Sequence, residues 1–468
     1  MPRSWWPDLA IGLAAFAAVV LLPLLLGGYV HERGHAQYAL LWRELIGEAG
    51  RMPLETPKPL TTLRAALGPG PYFGLAALLF SLAPACLGRL SLRLYGTRLV
   101  GMGAVLLLLL GNGHFLSGPV LDGFWPLCFL GLMSLTLYAF AEGRYGAALG
   151  ATALAGLVRP DAWGYALLLI VWIRLADREA ARPAHLTALL CVPAWLLFDL
   201  LLTGDPLYSF STLGTYQAVM GVPPTTPATF WPRLVTQLGE SFVLPLLGAG
   251  LLGLAAALLR AASQRGDEGR IRRRAHGLAA ALVASGVLGY WALSGLGDGV
   301  LLHVRFFVVP LLLLSLYAIA LPMEVLEGWW AREDRPDPGK GLRRGLAAAA
   351  GAAAIAVGWT TTDAWANTTD AHRVRRLQHE ARADALSYLR EEWVDTDRAL
   401  ITGRSLEVFA YRLGPEAAAR MYFFRFLAED LELLGSLREG VAVYIGYDIA
   451  GADNWFVNLR RGQVMRVG

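Results

Sequence analysis

An acid, an arginine and two histidines crowd into "GYVHERGHAQY" (residues 28–38), directly after the uncharged run "LAIGLAAFAAVVLLPLLLGGYV". Glu32 stands where an apolar helix must leave a bilayer, with His31 and His35 beside it. A carboxylate held there can take a proton from an acceptor. Ionisable groups at membrane depth are costly and usually functional, although just beyond the hydrocarbon a Glu or His also serves as a plain anchor. Other groups recur at the same depth. "LETPKPL" (54–60) sets Lys58 in a turn whose backbone its prolines fix. "LLTGDPLYSF" (201–210) breaks an emerging helix with Gly-Asp-Pro and leaves Tyr208 at the level of an aromatic belt. "LLHVRFFVVPLLLL" (301–314) opens an apolar helix with Arg305, which can snorkel harmlessly or grip a phosphate with its fork of donors. "LVRPDAW" (157–163) and "SGPVLDGFWPL" (117–127) each add an Arg or Asp at a helix end. Each signal is weak alone; their common side and depth carries the argument.

The elements that place them are membrane helices. The chain of 468 residues is 55% hydrophobic and only 17% charged, with a mean hydropathy of +0.45. A soluble protein carries roughly a quarter charged residues. Apolar segments long enough to cross about 30 Å of hydrocarbon recur along most of the length. About eleven spans are expected, centred near residues 20, 80, 106, 131, 150, 167, 194, 250, 286, 315 and 352. The opening "MPRSWWPDLAIG" has one arginine before its apolar run, but the run is too long for a signal sequence and lacks a small-x-small site, so it reads as a retained first helix. Cys86, Cys128 and Cys191 lie in apolar segments, spaced unlike metal ligands or a disulfide framework, and read as packing residues.

Charge sets the orientation. With the N-terminus cytoplasmic, Arg3 and the loops "RLSLRLYGTR", "EGRYG", "RLADREAAR", "RAASQRGDEGRIRRR" and "AREDRPDPGKGLRR" hold about nineteen Lys/Arg, while the opposite loops up to Arg305 hold about eight. That asymmetry places residues 31–70, 112–122, 204–239, 296–304 and everything after about 362 outside. The net charge of +4 follows from these arginines and implies no nucleic acid. Within 31–70, "HAQYALLWRELIGEAG" has helical apolar spacing at 38, 41, 42, 45 and 46 and suits an interfacial helix, with an ordinary surface helix as the alternative. Residues 1–362 then form a transmembrane module. Residues 363–468 form a small outward-facing α/β domain, with an amphipathic helix in "AHRVRRLQHEARADALSYLREEW" and strands in "RALIT", "VAVYIGY" and "GQVMRV".

This arrangement suits one reaction. A lipid-phosphate sugar donor needs the bilayer for its tail, a cation for its departing phosphate and a base for the acceptor's proton. Glu32 and Arg305 can supply the pair. Transport of a lipid-linked sugar would want polar residues deep in several spans, and these are scarce: His114 and Asp199 sit near ends.

The ordered series Glu32, "PKPL", "RPD" at 159–161, "GDPLY" at 204–208 and "RFFVVP" at 305–310 resembles the GT-C superfamily of polyprenyl-phosphate-dependent glycosyltransferases, which includes protein O-mannosyltransferases and the aminoarabinose transferase of lipid A. The resemblance covers roughly residues 1–330 and its motifs are loose. It implies a GT-C-like α-helical polytopic fold in a bacterial inner or plasma membrane, with an active face outside the cytoplasm. It also implies an inverting transfer from a polyprenyl-phosphate-linked sugar to a lipid, glycan or protein acceptor of the cell envelope. On that basis Glu32 and Asp122 are the catalytic candidates. Arg305, His303, Lys58 and Arg159 are donor-phosphate candidates, and His31, His35, Asp205 and Tyr208 are substrate-binding candidates. The family's acidic pair is here His31–Glu32, which leaves one acid at that point and keeps a noncatalytic accessory role in an assembly complex as the alternative. No ligand spacing demands a metal, although a divalent cation is compatible with the chemistry.

Overall fold

A computed structural model describes residues 6–25, 59–60, 63, 67, 69–111, 125–210, 224–295, 302, 304–332 and 339–361, and then 383, 386–387, 389–391, 394, 400–402, 406–418, 420–423, 442–445, 454–458 and 463–467. Its helices are α1 (Trp6–Leu25), α2 (Pro69–Tyr95), α3 (Leu99–Leu110), α4 (Trp125–Ala141), α5 (Tyr145–Gly156), α6 (Asp161–Ala176) and α7 (Cys191–Thr203). They continue with α8 (Pro227–Ser241), α9 (Leu244–Ser263), α10 (Gly266–Leu293), α11 (Val308–Arg332) and α12 (Gly339–Thr361). A 3-10 stretch, Pro183–Leu190, leads into α7, and a 3-10 turn, Val304–Phe307, leads into α11.

Each of the expected span centres falls inside a helical stretch. Among the described residues, five stretches are long and apolar enough to cross a membrane: Pro71–Tyr95, Pro183–Leu201, Leu244–Ser263, Gly266–Leu293 and Val308–Trp329. Trp6–Leu21, Leu99–Leu110 and Pro126–Ala141 are apolar but shorter. The chain is an integral membrane protein.

By its contacts the chain divides into two compact units. The first (Met1–Gly28, Phe73–Trp195 and Pro224–Thr369) is the helical bundle. Its central helix is α11, buried along most of its apolar length. Glycines bring α9 against it: a Cβ on Gly250 would stand 2.4 Å from the Leu314 carbonyl oxygen, and one on Gly253 only 2.2 Å from that of Tyr317. Small residues are what let membrane helices approach this closely.

Polar side chains gather at the two ends of this bundle. At one end Asp8 pairs with Arg89 and, at 2.8 Å, with Arg98. Arg260 of α9 reaches Glu327 at 2.6 Å and Glu324 at 2.9 Å on α11, and Arg343 of α12 approaches Glu327 at 3.4 Å. Tyr145, Asp177 and Arg274 join the start of α5, the end of α6 and the first turns of α10 there. Slightly deeper, His276 Nδ1 lies 2.8 Å from the Tyr317 hydroxyl. Helix direction then fixes the other end, where α5 and α10 finish and α6 and α11 begin.

The second unit comprises Tyr29–Tyr72, Leu196–Pro223 and Asp370–Gly468. It holds a five-stranded sheet, ordered β2-β1-β3-β4-β5, of β1 (Leu400–Thr402), β2 (Met421–Phe423), β3 (Ala442–Ile445), β4 (Asn454–Asn458) and β5 (Gln463–Val467). β1 runs parallel to β2 and β3, while β3, β4 and β5 form an antiparallel meander. The three expected strand segments hold β1, β3 and β5; β2 and β4 lie in "MYF" and "NWFVN". Helices α13 (Leu406–Leu413) and α14 (Pro415–Ala418) separate β1 from β2.

Candidate functional site

The "RPD" turn links α5 to α6. The Arg159 N–H donates to the Ala155 carbonyl at 2.8 Å, and Pro160 caps α6 with its ring-fixed backbone. Asp161 follows in the first helical turn, where the positive end of the helix dipole favours a carboxylate. Arg159 is only 4% exposed. A guanidinium so buried requires partners, and two are present. Its Nη2 forms an ion pair with Asp161 and donates to the Tyr290 hydroxyl at 2.7 Å. Tyr290, from the last turn of α10, donates in turn to Asp161 Oδ1 at 3.1 Å.

This triangle is packed between aromatic rings. The Arg159 guanidinium carbon sits 4.9 Å from the ring centre of Phe306 and 5.5 Å from that of Phe129. Tyr290 stacks on Phe306 with centroids 5.4 Å apart and planes inclined by 3°, and tilts against Phe307 at 5.4 Å. Pro310 packs on Gly286 of α10, where an added Cβ would meet its Cγ at 2.8 Å and the Tyr165 hydroxyl at 3.0 Å. Thus "RPD" and "RFFVVP", some 145 residues apart in sequence, meet around Tyr290. Arg305 immediately precedes Phe306 in the 3-10 turn, so its backbone is held by this cluster. Its side chain lies outside the described residues.

The "GDPLY" motif, in the second unit, terminates α7 as its residues predict. Gly204 adopts φ +77°, and Asp205 accepts a hydrogen bond from the Leu207 N–H at 2.9 Å. The fully buried Asp199 accepts bonds from both the backbone N–H and the hydroxyl of Ser209, each at 3.0 Å. Burial, together with the Asp199 charge, pushes the Tyr208 hydroxyl above its usual range.

The remaining candidates, His31, Glu32, His35, Lys58, Asp122 and His303, lie outside the described residues, as does the expected interfacial helix of the first outer loop. Among the described residues no group of three or more His, Cys, Asp and Glu side chains gathers as a metal site. The three cysteines are buried, in keeping with a packing role. Sequence reasoning missed Tyr290. Its place in "GVLGYWALSG" reads as an ordinary belt aromatic, and only its contact with Arg159 singles it out.

Fold and site together describe a polytopic apolar bundle with a buttressed, arginine-bearing turn at one end. No protein-family model matches the sequence, and no curated protein matches it. Among solved structures, the chain is similar to the oligosaccharyltransferase of Archaeoglobus fulgidus in its apo form, with 13% identity and a TM-score of 0.49, over 90% of this chain and 64% of that one. It is also similar to the oligosaccharyltransferase AglB of the same organism, in complex with an inhibitory peptide and a dolichol-phosphate, with 12% identity and a TM-score of 0.32, over 99% of this chain and 65% of that one. The chain thus spans less than two thirds of the length of these neighbours, and overlap this loose leaves function to be argued from the residues.

Proposed function

We propose that the chain is a GT-C-type membrane glycosyltransferase that moves a sugar from a polyprenyl-phosphate donor to an acceptor at the outer face of the membrane. The supporting observation is the meeting of "RPD" and "RFFVVP" around Tyr290, at the bundle end opposite the arginine-rich one. The buried Arg159–Asp161–Tyr290 triangle stiffens the turn that carries Arg305, and a preorganised cation costs no reorganisation when charge develops. In this reading about eleven helices cross, and the Tyr290 end faces outward. Residues 363–468 serve the acceptor or cap the site from the same side.

The acceptor oxygen or nitrogen attacks the anomeric carbon and forms a new bond as the carbon–oxygen bond to phosphate breaks, with inversion. Glu32 takes the acceptor's proton, with Asp122 as the second acid. The electron pair leaves on the phosphate, and Arg305 holds that charge, assisted by Lys58 and His303. His31, His35, Asp205 and Tyr208 border the substrates. Arg159, engaged by Asp161 and Tyr290, acts chiefly through the turn that it supports.

The test is transfer by the purified protein in nanodiscs, assayed against a panel of polyprenyl-phosphate sugars. Glu32→Gln should lower turnover by roughly 10²–10⁴. Arg305→Lys, which exchanges a fork for a point charge, should weaken donor use, and Arg305→Ala should lower turnover by roughly 10²–10³, since one preorganised charge stabiliser contributes about 3 kcal/mol. Wild-type kinetics in Arg305→Ala would overturn the model. So would the absence of transfer from every donor.

A further inference from the structure

Helix α8 belongs to none of the motifs above. Its fifteen residues extend roughly 22 Å, and three anchor points decide how it lies. At its start, Pro227 packs by Gly295, just past the end of α10: a Cβ built there would stand 3.4 Å from the proline Cγ. Near its end, Gln237 Nε2 donates to the Leu302 carbonyl at 2.8 Å, two residues before the 3-10 turn. Its last residue, Ser241, stands three positions before Leu244, where α9 begins. All three anchors are at the Tyr290 end of the bundle. The helix therefore lies across that end and does not run through it.

Its two sides differ. Phe230 and Leu234 face the protein and are buried. Trp231 and Val235, one helical turn apart, are 46% and 53% exposed, and Ala228, Pro232 and Gly239 share that side and are exposed. Arg233 is drawn off this face, donating to the Pro224 carbonyl at 3.1 Å and the Thr225 hydroxyl at 3.2 Å. The exposed apolar strip joins, through only two residues, a membrane-crossing helix whose own exposed leucines include Leu244, Leu251 and Leu252. An apolar surface continuous with a hydrocarbon belt, ending in a tryptophan, matches the level where amphipathic helices settle.

We infer that α8 is an interfacial helix whose Trp231–Val235 face docks on bilayer lipid, at the boundary of headgroups and acyl chains. Through Gln237 and Leu302 it then holds the 304–307 turn at headgroup depth. The inference requires only that the bundle spans a membrane and stands whether or not the chain transfers sugar.

A spin label at Val235→Cys tests it, in the full-length protein reconstituted into phosphatidylethanolamine–phosphatidylglycerol nanodiscs. The native cysteines are buried, and Thr236→Cys, on the adjoining exposed polar side, is the water-facing control. The label at 235 should be more accessible to oxygen than to a water-soluble nickel chelate, with the reverse at 236. Adding Trp231→Glu should shift the 235 label toward the chelate. Equal nickel accessibility at 235 and 236 would overturn the proposal by showing a solvated face. Low accessibility of the 235 label to both reagents would overturn it too, by showing that protein covers the strip.

Discussion

Tyr290 takes one hydrogen bond from Arg159 and gives one to Asp161, so removing its oxygen leaves a buried ion pair short of a partner on both sides. Tyr290→Phe keeps the ring stacked on Phe306 and deletes only the hydroxyl. It should cost about 1–3 kcal/mol, the usual range for stranding buried polar groups, and appear as a lower unfolding midpoint in detergent. Combined with Asp161→Asn, the two losses should be less than additive, because both act on one network. An unchanged midpoint in Tyr290→Phe would show the triangle to be incidental. At this scale the sequence was half legible. "RPD" and "RFFVVP" announced themselves because an arginine is conspicuous at the end of an apolar run. Tyr290 did not, because a tyrosine near a helix end has an ordinary explanation in the aromatic belt. Asp199 was seen near a helix end, but its role as the buried acceptor for Ser209 depends on how the chain turns back after Gly204.

The prolines at 183, 227 and 245 stand in the first turns of helical stretches, where a missing N–H costs nothing, but on their own they announced no helix. Among elements, the helix centres and the stop of α7 at Gly-Asp-Pro were the most legible features. Helix pairing was less so, since a contact such as Tyr145–Asp177–Arg274 joins positions nearly 130 residues apart. That contact carries a pH dependence. The hydrogen bond from Tyr145, and then Arg274, holds the Asp177 carboxylate below its usual range. A depressed carboxylate stabilises the fold above the unfolded-state value near 4, and that contribution fades as pH falls through the lower folded-state value. Thermal midpoints measured from neutral pH downward should therefore fall more steeply in the wild type than in Asp177→Asn, with the difference largest at neutral pH. Parallel curves would rule out this carboxylate as a contributor. Helix α8 went unrecognised because its stripe of Phe230, Leu234 and Gln237 is short and interrupted by Pro232.

For the whole molecule, two linked observations bear on which side is which. The sequence places about nineteen Lys/Arg in one set of loops and about eight in the opposite loops up to Arg305. The structure gathers Arg89, Arg98, Arg260, Arg274 and Arg343, with their acidic partners, at one end of the bundle, and the Arg159 cluster at the other. Because cytoplasmic loops retain positive charge, the Arg260 end should face the cytoplasm and the Tyr290 end the outside. Two exposed positions separate the ends: Glu179, just after α6, and Thr226, just before α8. The buried native cysteines leave introduced thiols as the accessible targets. In intact cells a membrane-impermeant maleimide should label Thr226→Cys and spare Glu179→Cys, and permeabilised cells should yield both. The opposite pattern would invert the topology and carry Arg305 to the cytoplasmic face, so the donor would then have to be presented from within. Labelling of both sites in intact cells would mean that these helices do not separate two compartments, and the membrane-facing chemistry proposed for Glu32 and Arg305 would fall with them.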